Sequence, residues 1–410
     1  MDKTLKVFSI ISMGLLVASL AQAESKIRTD AFATAGGTFT DSNVPFEGTQ
    51  KDINFNQLSR IGLQYSFTPA HDIPVTFTGQ LLARGYSDWN VEAEWALISY
   101  RPTSSWLINF GKIRTSMLML SQFHDVGVSY PWVTPPEETY GFSNIPFTSI
   151  SGVEVINTQF AGDWTIKTKF QTGNRDFDVP AMGQVVPVQL QHLDQLRFDI
   201  NNDNLNMSVG LTSVSFTSQE FTTLASNPAI QQSFADLATL ANIPLQNLAD
   251  PAFVRDLAKG MGLADTNNGR VELYDIGFVY DNNLLLIAEV TKRRIVNSTF
   301  PTLSSGFITA GYHFNKLTPH VTFAISDTSN SIIQQEQKSI SLGLNYSPSA
   351  SSILKVDFKS TQIGDGSVAL PIPGAKVSNV ALFDTLPLEF GGAAIEERVN
   401  KISFTYSIVL

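Results

Sequence analysis

An all-β fold, a transmembrane antiparallel β-barrel of about sixteen strands, is what this sequence predicts, and three observations predict it. Segments of alternating polarity recur along the chain, each about as long as a tilted membrane strand of ~9–11 residues. Their apolar faces carry aromatic residues toward the ends, whereas the opposite faces are rich in Ser, Thr, Asn, Gln, Gly and charge. The connections between them alternate in length, and all the long ones fall at odd positions in the order.

The chain has 410 residues, a formal net charge of −10 and no cysteine. Charged residues make up 16%, against about 25% in an average soluble domain. An acidic balance argues against a nucleic-acid partner, because few cations are present to displace counterions from phosphate. The lack of cysteine removes disulfide scaffolds, thiolate zinc sites and cysteine nucleophiles together. It does not fix the compartment, although a thiol-free chain is at ease in an oxidising periplasm.

The first 23 residues read as a signal peptide. Lys3 and Lys6 precede an apolar run from Val7 to Leu20, and Ala21-Gln22-Ala23 supplies the small residues of a cleavage site. The run is shorter than the ~20 residues a membrane helix needs. Cleavage after Ala23 leaves 24–410 as the barrel. No later segment can span a membrane as a helix: the longest apolar stretch, Leu284–Ala288, is closed by Glu289.

The strand at Ser59–Phe67 shows the pattern clearly, with Ile61, Leu63, Tyr65 and Phe67 opposed to Arg60, Gly62, Gln64 and Ser66. Toward the end of the chain, Ile402, Phe404, Tyr406, Ile408 and Leu410 oppose Lys401, Ser403, Thr405 and Ser407. The strands fall near 25–41, 57–69, 74–86, 91–102, 105–116, 149–161, 163–174, 193–201, 204–218, 270–281, 284–297, 303–314, 318–327, 338–347, 351–364 and 396–410. A soluble sandwich also alternates. It has no reason, however, to sort its loops by parity, as an outer-membrane barrel does with short periplasmic turns and long outer loops. The long connections are 42–56, 117–148, 175–192, 219–268 and 365–395. Aromatic girdle candidates include Tyr65, Phe67, Trp95, Trp106, Trp164, Tyr280, Tyr312, Tyr346 and Tyr406.

Sixteen strands enclose more space than wall side chains fill, so an aqueous channel is the default product. Arg60, Arg84, Lys167, Lys169 and Arg197 occupy the polar faces of strands two, three, seven and eight. Lys112 and Arg114 share parity with Trp106, Ile108 and Phe110, so a bulge must intervene if they are to point inward. Inward acids (Glu92, Glu94, Glu154, Asp199, Asp275, Glu289, Asp357) nearly match the inward bases, and no sign of selectivity follows.

Pro131-Trp132-Val133-Thr134-Pro135-Pro136 is a stiff extended stretch, since each proline fixes φ and restricts its predecessor. Its tryptophan could contact sugar rings or brace the loop. Within 219–268, Asn227-Pro228 and Asp250-Pro251 are helix starts. That outer segment could be a lid, a contact between protomers or a packed loop. The five histidines are scattered, and neither H-E-x-x-H nor G-x-S-x-G is present. No enzyme activity, metal or cofactor is expected.

Gly111-Lys112-Ile113-Arg114, followed by Asp125-Val126-Gly127-Val128-Ser129-Tyr130-Pro131-Trp132 and Pro135-Pro136-Glu137, carries a family likeness. The chain resembles the general porin superfamily of Gram-negative bacteria, and within it a group of proteobacterial porin-like outer-membrane proteins. The resemblance implies that the loop after strand five, 117–148, folds into the lumen as a constriction. Asp125, Glu137 and Glu138 would then face basic wall residues across it, and opposed charges in a narrow gap would orient polar solutes. It further implies a homotrimer in outer-membrane lipid and lipopolysaccharide, placed there by periplasmic chaperones and the barrel-assembly machinery. Passive diffusion of small hydrophilic solutes or ions is the function implied. A substrate-specific channel for anions or oligosaccharides, or a non-conducting adhesin or scaffold, are the alternatives. The chain departs from the family in ending on Leu410 rather than an aromatic residue, with Phe404 and Tyr406 slightly upstream.

Overall fold

The computed structural model describes residues 26–42, 46–49, 51–69, 74–141, 147–181, 184–217, 269–296, 302–329, 333–334, 336–363, 367–369, 376–378 and 398–410. The expected signal peptide, the helix starts within 219–268 and most of 365–395 lie outside these residues.

In chain order the strands are β1 (Lys26–Thr40), β2 (Arg60–Thr68), β3 (Val75–Arg84), β4 (Val91–Thr103), β5 (Trp106–Arg114), β6 (Ser149–Ala161), β7 (Trp164–Ala181) and β8 (Gln184–Asn201). They continue as β9 (Leu205–Thr217), β10 (Gly269–Asp281), β11 (Leu284–Val296), β12 (Thr302–Tyr312), β13 (Leu317–Ser329), β14 (Ile333–Gln334), β15 (Glu336–Ser349), β16 (Ser352–Ile363), β17 (Ser367–Ala369), β18 (Lys376–Ser378) and β19 (Arg398–Val409). Sixteen of them form one closed antiparallel barrel in the order β1-β19-β16-β15-β13-β12-β11-β10-β9-β8-β7-β6-β5-β4-β3-β2. The short β14, β17 and β18 pair as a separate three-stranded sheet.

Closure is by β1 against β19, in register from Phe32–Val409 to Thr40–Lys401. It leaves no free edge to the main sheet, as hydrocarbon requires, because an unpaired amide there has no water to bond. The expected strand positions hold, with one correction. The connection 175–192 is not a long loop: β7 runs on to Ala181 and β8 begins at Gln184, so the two extend as a hairpin. One extra residue in β8, at Gln191, shifts its register against both β7 and β9 and breaks the alternation there, which hid the continuation in the sequence.

The outward face is apolar almost without interruption. Ile276 and Val290 are each 64% exposed, and Ile61, Leu63, Phe77, Ile98, Phe110, Ile308, Phe323 and Leu342 are also exposed. So wide an apolar surface is stable against lipid and not against water. Phe67, Tyr100, Trp106, Phe160, Trp164, Tyr280, Tyr312, Tyr346 and Tyr406 gather at the end bearing the short turns, forming one aromatic girdle. Trp95 does not join it. A bulge at Glu94 pairs Gln80 with Trp95 and Leu81 with Ala93, which turns Glu94 and Trp95 to the same lumenal side.

Candidate functional site

The site is the loop after β5. Gly111 has φ +125°, where a Cβ would meet the Ala96 carbonyl oxygen at 2.3 Å, so only glycine fits this local distortion. Below it the ordinary alternation holds, and Asn109 turns inward to donate to Glu154 at 2.9 Å. Lys112, paired with Ala96 and Ser151, keeps the lipid-side parity of Phe110 and is half-buried. The expected inward turn at Lys112 is therefore corrected: the ladder keeps it on the lipid-side parity. Arg114 does reach the lumen, where it shares Asp125 with Arg84.

From that point the loop is fixed to wall strands around the barrel. The Ser116 amide donates to Gln171 on β7 at 3.1 Å and to Gln195 on β8 at 3.2 Å. The Met119 amide donates to Glu289 on β11 at 2.8 Å. Six residues later, Asp125 accepts from Arg84 on β3 at 2.7 and 2.9 Å and from Arg114 at 2.6 Å. Gly127 lies against Thr34 of β1 and Ser407 of β19. Arg60 on β2 donates to the Tyr130 hydroxyl at 2.7 Å. Trp132 Nε1 donates to Thr309 on β12 and Thr322 on β13 at 3.0 and 2.8 Å. Glu138, on the single helical turn Glu137–Tyr140, accepts from Lys359 on β16 and Gln337 on β15. The Tyr140 hydroxyl donates to Glu289, returning the loop to β11.

Around the ring β3 and β11 are eight strands apart in either direction, so they are diametrically opposed. Residues 119–125 therefore cross the lumen, and the loop fills its width rather than hugging one side. Beneath part of it the lumen is lined by apolar side chains. Met117, Leu118, Tyr130, Trp132, Tyr140 and Phe147 pack with Leu190, Leu193, Val214, Leu273, Leu285, Ile287, Phe307 and Ala324 in one buried cluster. This corrects the expectation of a wholly wet interior. The signal was present in Leu284–Ala288, where polarity does not alternate because one face is turned to lipid and the other to the apolar loop cluster.

The basic residues expected on the wall divide accordingly. Arg60, Arg84, Arg114, Lys169 and Arg197 are lumenal and buried; Lys169 donates to Gln122 at 2.8 Å, and Arg197 pairs with Asp275 and Asp199. Lys167 is lumenal and partly exposed. The acids do not face these bases across a gap. Asp125, whose side chain is 2% exposed, is in direct contact with its arginines, and Glu138 with Lys359. Burial alone would raise the Asp125 carboxyl; the Arg114 and Arg84 guanidiniums outweigh it and hold that group well below the usual range. Glu137 is half-buried and lies near Lys359. Trp132 is 1% exposed, so it braces the loop and has no face free for a sugar ring.

Sequence reasoning gave no role to Lys355 or Glu47, and placed Asp357 inward without a partner, though all three hold the loop's second half or its neighbour. Lys355, fully buried on β16, donates to the backbone carbonyls of Gly127, Tyr130 and Trp132 and sits 4.3 Å over the Tyr130 ring. Asp357 accepts from the Val133 amide at 2.6 Å. Glu47, in the first outer connection, bridges Lys359 and Lys401. Burial would raise the Glu47 carboxyl too, yet the two ammoniums bring it down to about 2. Phe46 beside it packs with Ile363 and Val399, seating that connection on β16 and β19. The lumenal parity of Lys355, Lys359 and Lys401 was visible; their acceptors, many of them backbone atoms, had no sequence signal.

No family model matches the sequence, and no curated protein matches it. By structure the chain is similar to an anion-selective porin from Comamonas acidovorans, at 10% identity and a TM-score of 0.60 over 94% of this chain and all of that one. It is also similar to the trimer form of OmpT, an outer membrane protein of Vibrio cholerae, at 10% identity and a TM-score of 0.53 over 95% of this chain and all of that one. OmpF of Salmonella typhi, in a complex with daunomycin, matches at 11% identity and a TM-score of 0.53 over 94% and 98% of the two chains. At such identities what is common is architecture. The chain has the closed-barrel fold of Gram-negative outer-membrane porins.

Proposed function

We propose that the protein is an outer-membrane porin through which small hydrophilic solutes or ions diffuse passively. The observation that carries this reading is the two-sided wall. One face of the barrel is continuously apolar, and the other holds buried and half-buried charges that only an aqueous or protein-filled interior accommodates. The fold shared with porins supports it, as does an inward loop after the fifth strand. A transport role rather than an enzymatic one, export by the leader 1–23 and residence in the outer membrane belong to the same reading. So does a homotrimer, for which the trimeric form of one structural neighbour is the support.

The experiment is a planar-bilayer recording of the folded protein with a salt gradient across the membrane. Discrete conductance steps with a measurable reversal potential are expected, and removing residues 118–146 should enlarge the steps. Folded protein that gives no conductance with or without those residues rejects the reading. The full crossing of the lumen favours one second reading, a non-conducting scaffold barrel, and the same recording separates the two.

A further inference from the structure

Near the outer end of β10 and β11 the lipid-facing side of the barrel turns cationic. The two strands join through the short turn at Asn282 and Asn283, so Gly269 and Val296 lie at the rim opposite the aromatic girdle. In their ladder Ile276 faces Val290, each 64% exposed; beyond that pair come Tyr274 opposite Lys292 and then Glu272 opposite Arg294. These residues, with Arg270 beyond them, share the outward parity of Ile276, and Arg270, Tyr274, Lys292 and Arg294 are exposed. Glu272 serves both arginines: Arg294 donates to it at 2.7 Å, Arg270 lies 3.2 Å away, and the Tyr274 hydroxyl donates at 2.7 Å. One carboxylate among three bases leaves the cluster positive. The next outward acids along the ladder among the described residues, Asp194 and Asp327, are each two strands off, across Ser213 and Ser304, or about 10 Å. Glu272 lies eight residues along β10 from the girdle residue Tyr280, about 20 Å higher at ~3.4 Å per residue and ~40° of strand tilt, in an apolar band ~25 Å tall. Long basic side chains from there reach the level where outer-leaflet chains give way to headgroups. Below them Gly306, between Val290 and Ile325 in the ladder, leaves a trough in the apolar surface.

From these observations we propose that this face is a docking site for an outer-leaflet lipid with a phosphate-bearing headgroup, the phosphate held by Arg270, Lys292 and Arg294 and an acyl chain lying over Ile276, Val290 and Gly306. Guanidiniums pair with phosphate oxygens two at a time, and their excess charge here has no protein acid to meet. A ligand that covers both the bases and the apolar slope under them must itself be amphiphilic. The proposal rests on the outer-membrane part of the porin reading and does not depend on the channel conducting.

The test titrates the folded protein, in a zwitterionic detergent, with lipid A bearing two phosphates and with lipid A stripped of them. The phosphorylated form should bind at least tenfold more tightly. Arg270→Gln, Lys292→Gln and Arg294→Gln together should erase that difference; equal affinity for the two lipids in the unsubstituted protein, or a difference that survives the triple substitution, overturns the proposal. Millimolar inorganic phosphate should leave the bound lipid in place, and its displacement would mark a site for free anions instead. A triple variant that keeps its lipid affinity but loses association between protomers would make the cluster a protein contact, which also overturns the proposal. Glu272→Gln guards against misfolding, because it frees both arginines and should tighten binding of the phosphorylated lipid at least threefold; binding that does not tighten counts against the site. Absence of conductance in bilayers rejects the porin reading and leaves this one standing, so the two fail separately.

Discussion

Replacing Asp125 with asparagine tests the loop's docking most directly. The carboxylate joins Arg84 and Arg114 at 2.6–2.9 Å, and all three side chains are nearly inaccessible. Removing one partner of a buried ion pair generally costs ~3–5 kcal/mol, because the remaining charge stays desolvated. Arg84 retains Glu92 at 3.4 Å and Glu94 at 3.3 Å, while Arg114 retains Glu94 at 3.9 Å and the Ser121 carbonyl at 2.9 Å. The cost therefore falls at the lower end, about 3 kcal/mol, or roughly a hundredfold in the ratio of docked to undocked loop. Hydrogen exchange on folded protein reads that ratio through the Leu118, Met119 and Val133 amides, whose acceptors are Ser121, Glu289 and Asp357. Their exchange should quicken by roughly a hundredfold while wall amides, held by the strand ladder, change little. Protection altered by less than threefold would refute the reasoning. The sign with pH is fixed as well. A carboxyl held below its unfolded value contributes fully above that value and loses its contribution only as pH falls through the folded one. Docking through Asp125 should thus be the same at pH 7 and pH 5.

Three further outcomes follow from the same contacts. Glu47, drawn down to about 2, should hold its connection onto Lys359 and Lys401 undiminished above about pH 4.5 and release it progressively toward pH 2; Glu47→Gln should abolish that pH dependence in exchange at Thr49. Trp132→Ala should cost the docked loop ~3–5 kcal/mol, read as faster exchange at Tyr140 and Gly141, with Trp132→Phe intermediate because it keeps the packing on Phe307 but not the bonds to Thr309 and Thr322. Gly111→Ala forces a Cβ into the β4 backbone at a φ that L-residues avoid, a strain of ~1–3 kcal/mol, and should lower the refolding yield measured by the mobility of unheated protein on gels; yields equal to Gly79→Ala, where a Cβ meets open space, would contradict it.

The wall was legible in the sequence because its rule is local. Each residue two positions on returns to the same side, and lipid and lumen reward opposite polarities, so Ile61 to Phe67 or Ile402 to Tyr406 declare their faces without reference to the rest of the chain. The failures came where that rule is interrupted. Single extra residues at Glu94 in β4 and at Gln191 in β8 reversed parity without a clear mark in composition. The loop's presence in the lumen was implied by family likeness, but its course was not.

What tertiary structure alone decided is who meets whom inside. Asp125 finds Arg84 and Arg114, Lys355 finds three carbonyls more than two hundred residues away, and Leu285 and Ile287 find a loop rather than water. Such pairings depend on closing the ring at β1 and β19, which sets β3 opposite β11 with one segment of the loop between them. Periodicity encodes which side of a wall a residue faces; distance across the enclosed space is a property of the closed barrel, and no stretch of sequence carries it.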